Sequence, residues 1–233
     1  MAKFHLSRRE VIHLFGLSLI MRHGALATSK QAPVALARPK LNGALPVEKA
    51  LLGRRSVRDY AAGALTLTEV SQLLWAGQGI THTLGFRTAP SAGALYPLEV
   101  YLVAGNVADL HPGVYKYDPH AHALSALAEG DKRAVLSAAA LQQTCVEEAA
   151  AALVFCAVYR RVTVKYGERG VRYTHIEVGH AAQNVYLQAA SLRLGTVVVG
   201  AFQDDRVRKV IGAADEEQPL CIMPIGRLPV EDS

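Results

Sequence analysis

The spacing of apolar residues predicts several helices along the chain. Behind the capping signal Thr66-Leu67-Thr68-Glu69, apolar residues recur at the spacing of one helical face, which predicts a helix that ends near residues 77–79. A short helix is predicted over residues 47–54, because Pro46 suits the first turn of a helix. Longer helices are predicted over residues 131–143 and over residues 175–194, the second ended by Gly195.

Other segments have the patterns of strands. A buried strand is predicted over residues 99–104, and residues 149–159 are a continuous apolar run, which is typical of a strand buried on both faces. Residues 113–119 alternate and then turn, so a following strand over residues 123–127 completes a hairpin. The last strands are predicted over residues 196–199 and 219–225. Because hairpins join antiparallel strands, we expect a mixed or antiparallel sheet in an α+β fold.

Charge is concentrated at the start of the chain. Of 233 residues, 51% are hydrophobic, which excludes a disordered protein, and the net charge is +5. The first forty residues hold seven Lys or Arg and one Glu, a charge of +6, so the remaining residues carry −1. A nearly neutral body lacks the basic surface that binding to nucleic acid requires.

The basic segment has the parts of an export signal. Arg8 and Arg9 precede a short apolar stretch over residues 11–21, and a small-residue site follows at Ala25-Leu26-Ala27. The pair resembles a twin-arginine signal, which predicts export to the periplasm. The alternative is an amphipathic N-terminal helix on a cytoplasmic protein. The apolar stretch is too short to span a membrane. We therefore divide the chain into a leader and linker over residues 1–45 and a domain over residues 46–233.

No spacing in the sequence is typical of a metal site. Cys145, Cys156 and Cys221 are far apart and form no CxxC pair, which favours buried free thiols. His175 and His180 are five residues apart, whereas two ligands on one helical face are four apart. We predict no metal.

Two segments of the domain carry residues suited to a phosphate or a flat ligand. Residues 54–58, Arg-Arg-Ser-Val-Arg, combine three guanidinium groups with a hydroxyl. Residues 87–97 form a loop of small residues between prolines, where backbone amides can approach a ligand closely. Neither segment is a Walker or a Rossmann motif. Each on its own is also consistent with a solvated turn or a connecting loop.

Taken together, these segments resemble the nitroreductase family and, within it, the SagB-type dehydrogenase branch. The resemblance is collinear over residues 46–229. Besides the two segments above, it includes residues 113–119, Lys165-Tyr166-Gly167-Glu168-Arg169, Tyr173, residues 177–184, residues 195–202 and Met223-Pro224-Ile225-Gly226-Arg227.

The resemblance implies a nitroreductase-like α+β fold with a mixed, largely antiparallel sheet flanked by helices, and FMN bound at the interface of a homodimer. The flavin contacts carried over by position are Arg54, Arg55, Ser56, Arg58, Ser91, Gly93, Gly200, Ala201 and Arg227. Arg55 and Arg227 are the weaker assignments, and Ser91 and Gly93 are expected to reach the flavin of the partner subunit.

The same resemblance assigns chemistry to Lys165 and Tyr166. In azoline-oxidising members a Lys-Tyr pair removes a proton from the ring that becomes aromatic, so we expect both residues to act on substrate and to lie away from the flavin contacts. The substrate is then a thiazoline or oxazoline in a peptide. Two alternatives remain, namely reduction of nitroaromatics or quinones by NAD(P)H and a non-catalytic flavin-binding protein.

Overall fold

The computed structural model describes residues 32–229, so the predicted leader lies outside the described residues except for its last part. The helices are α1 (Val47–Gly53), α2 (Leu67–Gln78), α3 (Arg133–Ala139), α4 (Thr144–Glu148), α5 (Arg160–Tyr166), α6 (Arg169–Ser191) and α7 (Asp204–Ile211). The strands are β1 (Val34–Ala35), β2 (Leu65–Thr66), β3 (Leu98–Ala104), β4 (Val107–Ala108), β5 (Gly113–Asp118), β6 (Ala123–Glu129), β7 (Ala151–Ala157), β8 (Leu194–Thr196) and β9 (Gln218–Arg227).

An antiparallel sheet forms the centre of the fold. Within residues 32–229 it has seven strands in the order β1-β6-β5-β3-β7-β9-β8, and each neighbouring pair is antiparallel. A short parallel pair, β2 with β4, lies outside it. The predicted α+β fold with a largely antiparallel sheet is confirmed. The edge strand β1 comes from the segment predicted as a linker, so part of that segment joins the sheet.

The central strands are buried on both faces, which is why they have no polar alternation. In β3, Leu98, Val100 and Leu102 pack with residues of α2 and α6 in one cluster. Tyr101 and Val103, which point to the other face, pack with residues of α3 and α7. The fold is therefore a sheet between two layers of helices.

Local signals for α2 are confirmed in detail. Thr66 accepts a hydrogen bond from the backbone N–H of Glu69 at 3.2 Å, and the Glu69 carboxylate accepts one from the backbone N–H of Thr66 at 2.7 Å. This capping box satisfies two backbone donors that the first turn of a helix leaves free.

Two predicted helices have different bounds. The helix predicted over residues 131–143 is the shorter α3, which ends at Ala139, because Leu141 and Gln142 adopt positive φ angles of 58° and 59°; α4 begins beyond the predicted helix, at Thr144. The helix predicted over residues 175–194 is α6, which begins earlier, at Arg169, and ends at Ser191. Gly195 lies in β8 and does not cap the helix. Helices α4, α5 and α7 were not predicted.

The three cysteines are buried free thiols, as predicted. Burial raises the pKa of Cys221 to about 12 and also raises the pKa of Cys156, which disfavours the reactive thiolate form of both side chains. Within residues 32–229, no three or more His, Cys, Asp or Glu side chains are placed to hold a metal ion. In the same described range, no helix has the length and apolar character that crossing a membrane requires.

Candidate active site

The arginine segment is attached to the end of the sheet and to α6. The backbone N–H of Val57 donates to Thr196 O at 2.9 Å. The Ser56 hydroxyl lies 3.2 Å from the hydroxyl of Tyr186, which accepts a hydrogen bond from the backbone N–H of Val198 at 2.8 Å. The structure thus brings residues 54–58 and 195–201 together, as the resemblance implies. Tyr186, which joins them, was not among the predicted site residues.

In the part of the chain that the structure describes, Arg54 and Arg58 of this segment have no acidic partner. The Arg54 guanidinium lies 5.1 Å from the centre of the Tyr186 ring, and among residues 32–229 neither Arg54 nor Arg58 forms an ion pair. Arg55 donates to the carbonyls of Leu52 and Arg54, so its side chain supports the end of α1. Two guanidinium groups without an ion pair in the described residues, one half-buried and one exposed, can form a site for an anion such as a phosphate beside the Ser56 hydroxyl.

A second set of free donors lies on the turn after β8. Within the described residues, no hydrogen bond uses the backbone N–H of Gly200 or Ala201. The side-chain amide of Gln143 donates to Ala201 O at 2.9 Å and holds this turn in place. Space is open around Gly200, since a Cβ there would meet no atom within 4 Å. Two N–H groups are therefore available to a ligand.

The small-residue loop forms a tight turn against α5. Ser91 Oγ accepts a hydrogen bond from the backbone N–H of Tyr96 at 2.9 Å. Gly93 has a φ of +64°, and a Cβ there would lie 2.7 Å from the Tyr166 hydroxyl and 3.0 Å from Lys165 Nζ. Lys165 and Tyr166 therefore contact the loop. The expectation that this pair lies away from the predicted flavin contacts was wrong, because Gly93 is one of them.

Helix α5 is held so that its last turn presents this pair. Arg161 donates to Tyr96 O at 3.0 Å and forms an ion pair with Glu99 of β3. The helix ends at Tyr166, because Gly167 follows with a φ of +58°. The Tyr166 ring packs edge-on against Tyr173 of α6, with 5.2 Å between the ring centres.

Behind the loop lies a carboxyl group that the sequence analysis did not single out. Glu177 of α6 is only 2% exposed. Burial raises the pKa of Glu177 to about 7, against the opposing effects of a hydrogen bond from Ser91 and the charge of Arg87. Glu177 stands in the segment that resembles the family, but only the packing of the loop on α6 shows that it is buried.

Arg227 has a structural role. Its guanidinium donates to both carboxylate oxygens of Glu69, at 2.6 and 2.8 Å, and to Ala64 O at 2.7 Å. These contacts join the end of β9 to the first turn of α2. Because its donors are used inside the fold, we leave Arg227 out of the proposed cofactor site. His175 likewise has a partner inside the fold, the hydroxyl of Tyr159 at 2.6 Å.

The two halves of the predicted site lie on opposite sides of α6. Glu177, beside the loop, and Tyr186, beside the arginine segment, are nine residues apart on this helix. That separation corresponds to about 13.5 Å along the axis and about half a turn around it. Side chains on opposite sides of one helix cannot line the same face of a single ligand. In one chain, the loop and the arginine segment therefore lie against opposite sides of α6.

Comparison with known proteins gives a consistent result. A sequence model described as the nitroreductase family matches residues 51–227. A protein of Methanocaldococcus jannaschii that carries the name of a nitroreductase is 47% identical over 183 residues, which cover 78% of this chain and 91% of the relative.

Two further relatives are named for a microcin and for a trifolitoxin operon. The microcin B17-processing protein McbC of Escherichia coli is 32% identical over 130 residues, 54% of this chain and 48% of the relative. The trifolitoxin operon protein TfxC of Rhizobium leguminosarum bv. trifolii is 26% identical over 193 residues, 76% of this chain and 54% of the relative. The chain thus spans about half the length of each of these two relatives.

Solved structures show the same fold. A crystal structure from Ralstonia eutropha JMP134, described as that of a nitroreductase, has a TM-score of 0.75 and 28% identity, and the match covers 87% of this chain and 92% of that one. The NADPH:FMN oxidoreductase of Vibrio harveyi, at a TM-score of 0.57 and 23% identity, matches 79% of this chain and 69% of that one. The second likeness concerns the fold alone.

Proposed function

This chain belongs to the nitroreductase family of oxidoreductases, and from that premise we propose that it is an FMN-dependent dehydrogenase of the SagB type that oxidises a thiazoline or oxazoline ring in a peptide. The observation that carries the proposal is the contact of Lys165 and Tyr166 with the turn at Gly93. This contact places an amine and a phenol beside a loop that has the small residues of a ligand-binding turn.

The residues of the arginine segment fit FMN. Arg54 and Arg58 offer unpaired positive charge for the phosphate, and the Ser56 hydroxyl adds a directional contact. The free backbone N–H groups of Gly200 and Ala201 suit the polar edge of the flavin ring, where negative charge develops on reduction. When bound, FMN supplies the hydride acceptor.

The geometry of α6 supports a shared site in a homodimer. Because the loop at Ser91 and Gly93 and the arginine segment lie on opposite sides of this helix, the loop of one copy is free to complete the site of the other. We propose that each flavin is held by residues 54–58 and 198–201 of one copy and by the loop of its partner.

In this arrangement Lys165 and Tyr166 handle the proton. Aromatisation of an azoline removes a hydride from one ring atom and a proton from another. We assign the Lys165 amine as the acceptor of this proton, and the Tyr166 hydroxyl, which meets the same turn, as the donor of a hydrogen bond to the substrate heteroatom. Arg161 positions the helix that carries both groups. The similarity to McbC, which is named for the processing of microcin B17, supports this substrate class.

A second candidate is reduction of nitroaromatics or quinones by NAD(P)H. It is favoured by the M. jannaschii relative, whose 47% identity extends over 91% of its length. The exposed turn at Gly93 and Ala94 leaves the Lys-Tyr pair open to a small planar acceptor as well as to a peptide. The two candidates differ in the direction of electron transfer: an azoline substrate would reduce the flavin, whereas a nitroaromatic or a quinone would be reduced by it.

The first experiment is recovery of the cofactor. The purified protein is expected to be yellow and to release FMN on heating, identified by chromatography. Recovery of no flavin from cells grown with riboflavin would refute the core of the proposal. The Arg58→Ala variant is expected to retain less FMN, since a charge-assisted contact contributes about 1.5–3 kcal/mol.

The second experiment separates the two candidates. Rapid mixing of FMN-loaded protein with a thiazoline-containing peptide is expected to bleach the flavin absorbance, and Lys165→Ala or Tyr166→Phe is expected to slow this step by about 10²–10⁴-fold at unchanged FMN content. Lys209→Ala, on the exposed side of α7, is the matched control. Turnover of nitroaromatics by NADPH with no bleaching by the peptide, or equal rates in all variants, would reject the azoline assignment.

A further inference from the structure

Tyr186 of α6 contacts both the arginine segment and the turn after β8. The Arg54 Cζ lies 5.1 Å from the centre of its ring. Its hydroxyl lies 3.2 Å from Ser56 Oγ and 2.8 Å from the backbone nitrogen of Val198. One side chain is therefore in contact with two residues of the arginine segment and with the first residue of the turn that presents free backbone N–H groups.

The direction of these hydrogen bonds follows from the groups that form them. A backbone N–H can only donate, so the Tyr186 oxygen accepts the hydrogen bond from Val198. The Tyr186 proton then remains for the second contact, and a phenol is a better donor than an aliphatic alcohol. The hydrogen bond between the two hydroxyls therefore runs from Tyr186 to Ser56 Oγ.

This direction leaves the Ser56 proton free for a ligand. Within residues 32–229, no other hydrogen bond involves the Ser56 hydroxyl, and Ser56 is exposed whereas Tyr186 is half-buried. A hydroxyl that accepts from one neighbour is a stronger donor to the next, because successive hydrogen bonds polarise one another. Ser56 is thus set to donate to an acceptor outside the chain.

We propose that Tyr186 is a positioning residue of the flavin site, which directs the Ser56 hydroxyl proton at the phosphate of FMN and holds the turn at Val198 that faces the flavin ring. The inference rests on the proposed function, because that function names FMN as the ligand. The phosphate is the acceptor because Ser56 stands between Arg54 and Arg58, whose charges attract an anion, and because ionised phosphate oxygens accept hydrogen bonds.

The turn over residues 198–201 is held at three points. Besides the contact with Tyr186, Val199 exchanges two backbone hydrogen bonds with Ile222 of β9, at 2.8 and 2.9 Å, and the side chain of Gln143 donates to the far end of the turn at 2.9 Å. The contact with β9 fixes the turn to the sheet, whereas Tyr186 fixes it to the arginine segment. Loss of the hydroxyl is therefore expected to leave the turn folded and to loosen its alignment with that segment.

Two variants separate the role of the Tyr186 hydroxyl from that of the ring. Tyr186→Phe keeps the ring against Arg54 and removes the hydroxyl, whereas Tyr186→Leu removes both contacts. Release of FMN from the loaded full-length protein on dilution, followed by flavin fluorescence, gives the dissociation constant. Tyr186→Phe is expected to weaken FMN binding about tenfold, and Tyr186→Leu is expected to weaken it further. An unchanged dissociation constant in folded Tyr186→Phe protein would overturn the inference.

Riboflavin, which lacks the phosphate, tests the contact that runs through Ser56. Ser56→Ala is expected to reduce the preference for FMN over riboflavin about tenfold, and Ser56→Thr, which keeps a hydroxyl, is expected to retain most of it. Ser56 is exposed, so Ser56→Ala is expected to fold. An unchanged preference in this variant would refute the assignment to the phosphate, even if Tyr186→Phe fails to fold.

A double variant tests whether Tyr186 acts on the phosphate through Ser56. Tyr186→Phe by itself is expected to reduce the preference for FMN over riboflavin about threefold, because Ser56 then keeps its proton and loses its orientation. In the Ser56→Ala background it is expected to reduce the preference no further. A second loss of the same size in the double variant would show that the two residues act independently, which would refute the role of Tyr186 in orienting Ser56.

The reduction potential of bound FMN tests the contact with Val198. The free N–H groups of the turn suit the negative charge that develops on reduction, so a looser turn is expected to make the potential more negative in Tyr186→Phe. Tyr115→Phe is the matched control, because its hydroxyl donates to His111 O at 2.7 Å and it lies on β5, outside the segments of the site. Equal potentials in Tyr186→Phe and in the control would refute the role of Tyr186 in holding the turn.

Turnover of a thiazoline-containing peptide separates this inference from the proposed function. Weaker FMN binding by Tyr186→Phe in a protein that does not oxidise the peptide would refute the proposed substrate and support the positioning role. Oxidation of the peptide, with the same FMN affinity, phosphate preference and potential in Tyr186→Phe, would overturn the inference and leave the proposed function standing. A protein that binds neither FMN nor riboflavin would refute both.

Discussion

The buried carboxyl of Glu177 makes the stability of the protein depend on pH in a predictable direction. Its pKa rises from 4.5 for an exposed glutamate to about 7 in the folded chain. The folded state therefore holds a proton that the unfolded state has lost between these two values. Stability from this group is fully present below pH 4.5 and is lost as the pH rises towards 7 and above.

The magnitude follows from the two pKa values. Between pH 5 and pH 8, a shift from 4.5 to about 7 lowers the free energy of unfolding by about 2.5 kcal/mol. Replacement of Glu177 by Gln removes the titrating group and keeps the shape of the side chain. We expect the variant to lose this part of the pH dependence. The difference in free energy of unfolding, variant minus unaltered protein, is therefore expected to be about 2.5 kcal/mol larger at pH 8 than at pH 5.

Urea unfolding at pH 5, 6, 7 and 8, followed by circular dichroism, measures this difference. The variant and the unaltered protein are compared at the same pH, so the contributions of histidines and other titrating groups that both proteins share cancel. Glu147→Gln, at an exposed position in α4, is the matched control and is expected to follow the unaltered protein. Parallel pH profiles for Glu177→Gln and the unaltered protein would refute the reasoning that burial controls this carboxyl group.

Three further predictions follow from local geometry and from the leader. Gly93→Ala is expected to lower the free energy of unfolding by about 1–2 kcal/mol in urea, because of its positive φ, and to slow substrate oxidation by displacing Tyr166; unchanged values would contradict the tight contact. Thr66→Ala is expected to cost about 1 kcal/mol by the same assay, with loss of the capping box. We propose export through Arg8 and Arg9, so replacing both with Lys is expected to leave the protein in the cytoplasm on cell fractionation; equal periplasmic yield would reject it.

The helices and strands with strong local signals could be predicted from the sequence. The capping box at Thr66 lies within four residues, and the apolar runs that became β3 and β7 are long enough to identify without their partners. The hairpin of β5 and β6 was also predicted, because its turn is local. One failure occurred where the backbone conformation departs from its local preference, at Leu141, whose positive φ follows the early end of α3 inside the predicted helix.

The candidate site likewise has features that the sequence predicts and features that only the fold shows. Residues 54–58 and the loop around Gly93 stand out in the sequence through their composition, and the family followed from their order along the chain. Composition states which donors a segment offers, but it does not state which of them remain free after folding. Arg54 and Arg227 are both arginines in matched segments, and only the fold shows that one is unpaired and the other is bound to Glu69.

Only the tertiary structure placed Lys165 and Tyr166 against Gly93, joined Ser56 to Val198 through Tyr186, and buried Glu177 behind the loop. Each of these contacts joins residues from separate elements. The sequence determines the propensity of each element through neighbours within a few residues, whereas burial and unpaired atoms depend on which elements pack together. The pKa of Glu177 is set by that packing, because an exposed glutamate at the same place on α6 would keep its ordinary value.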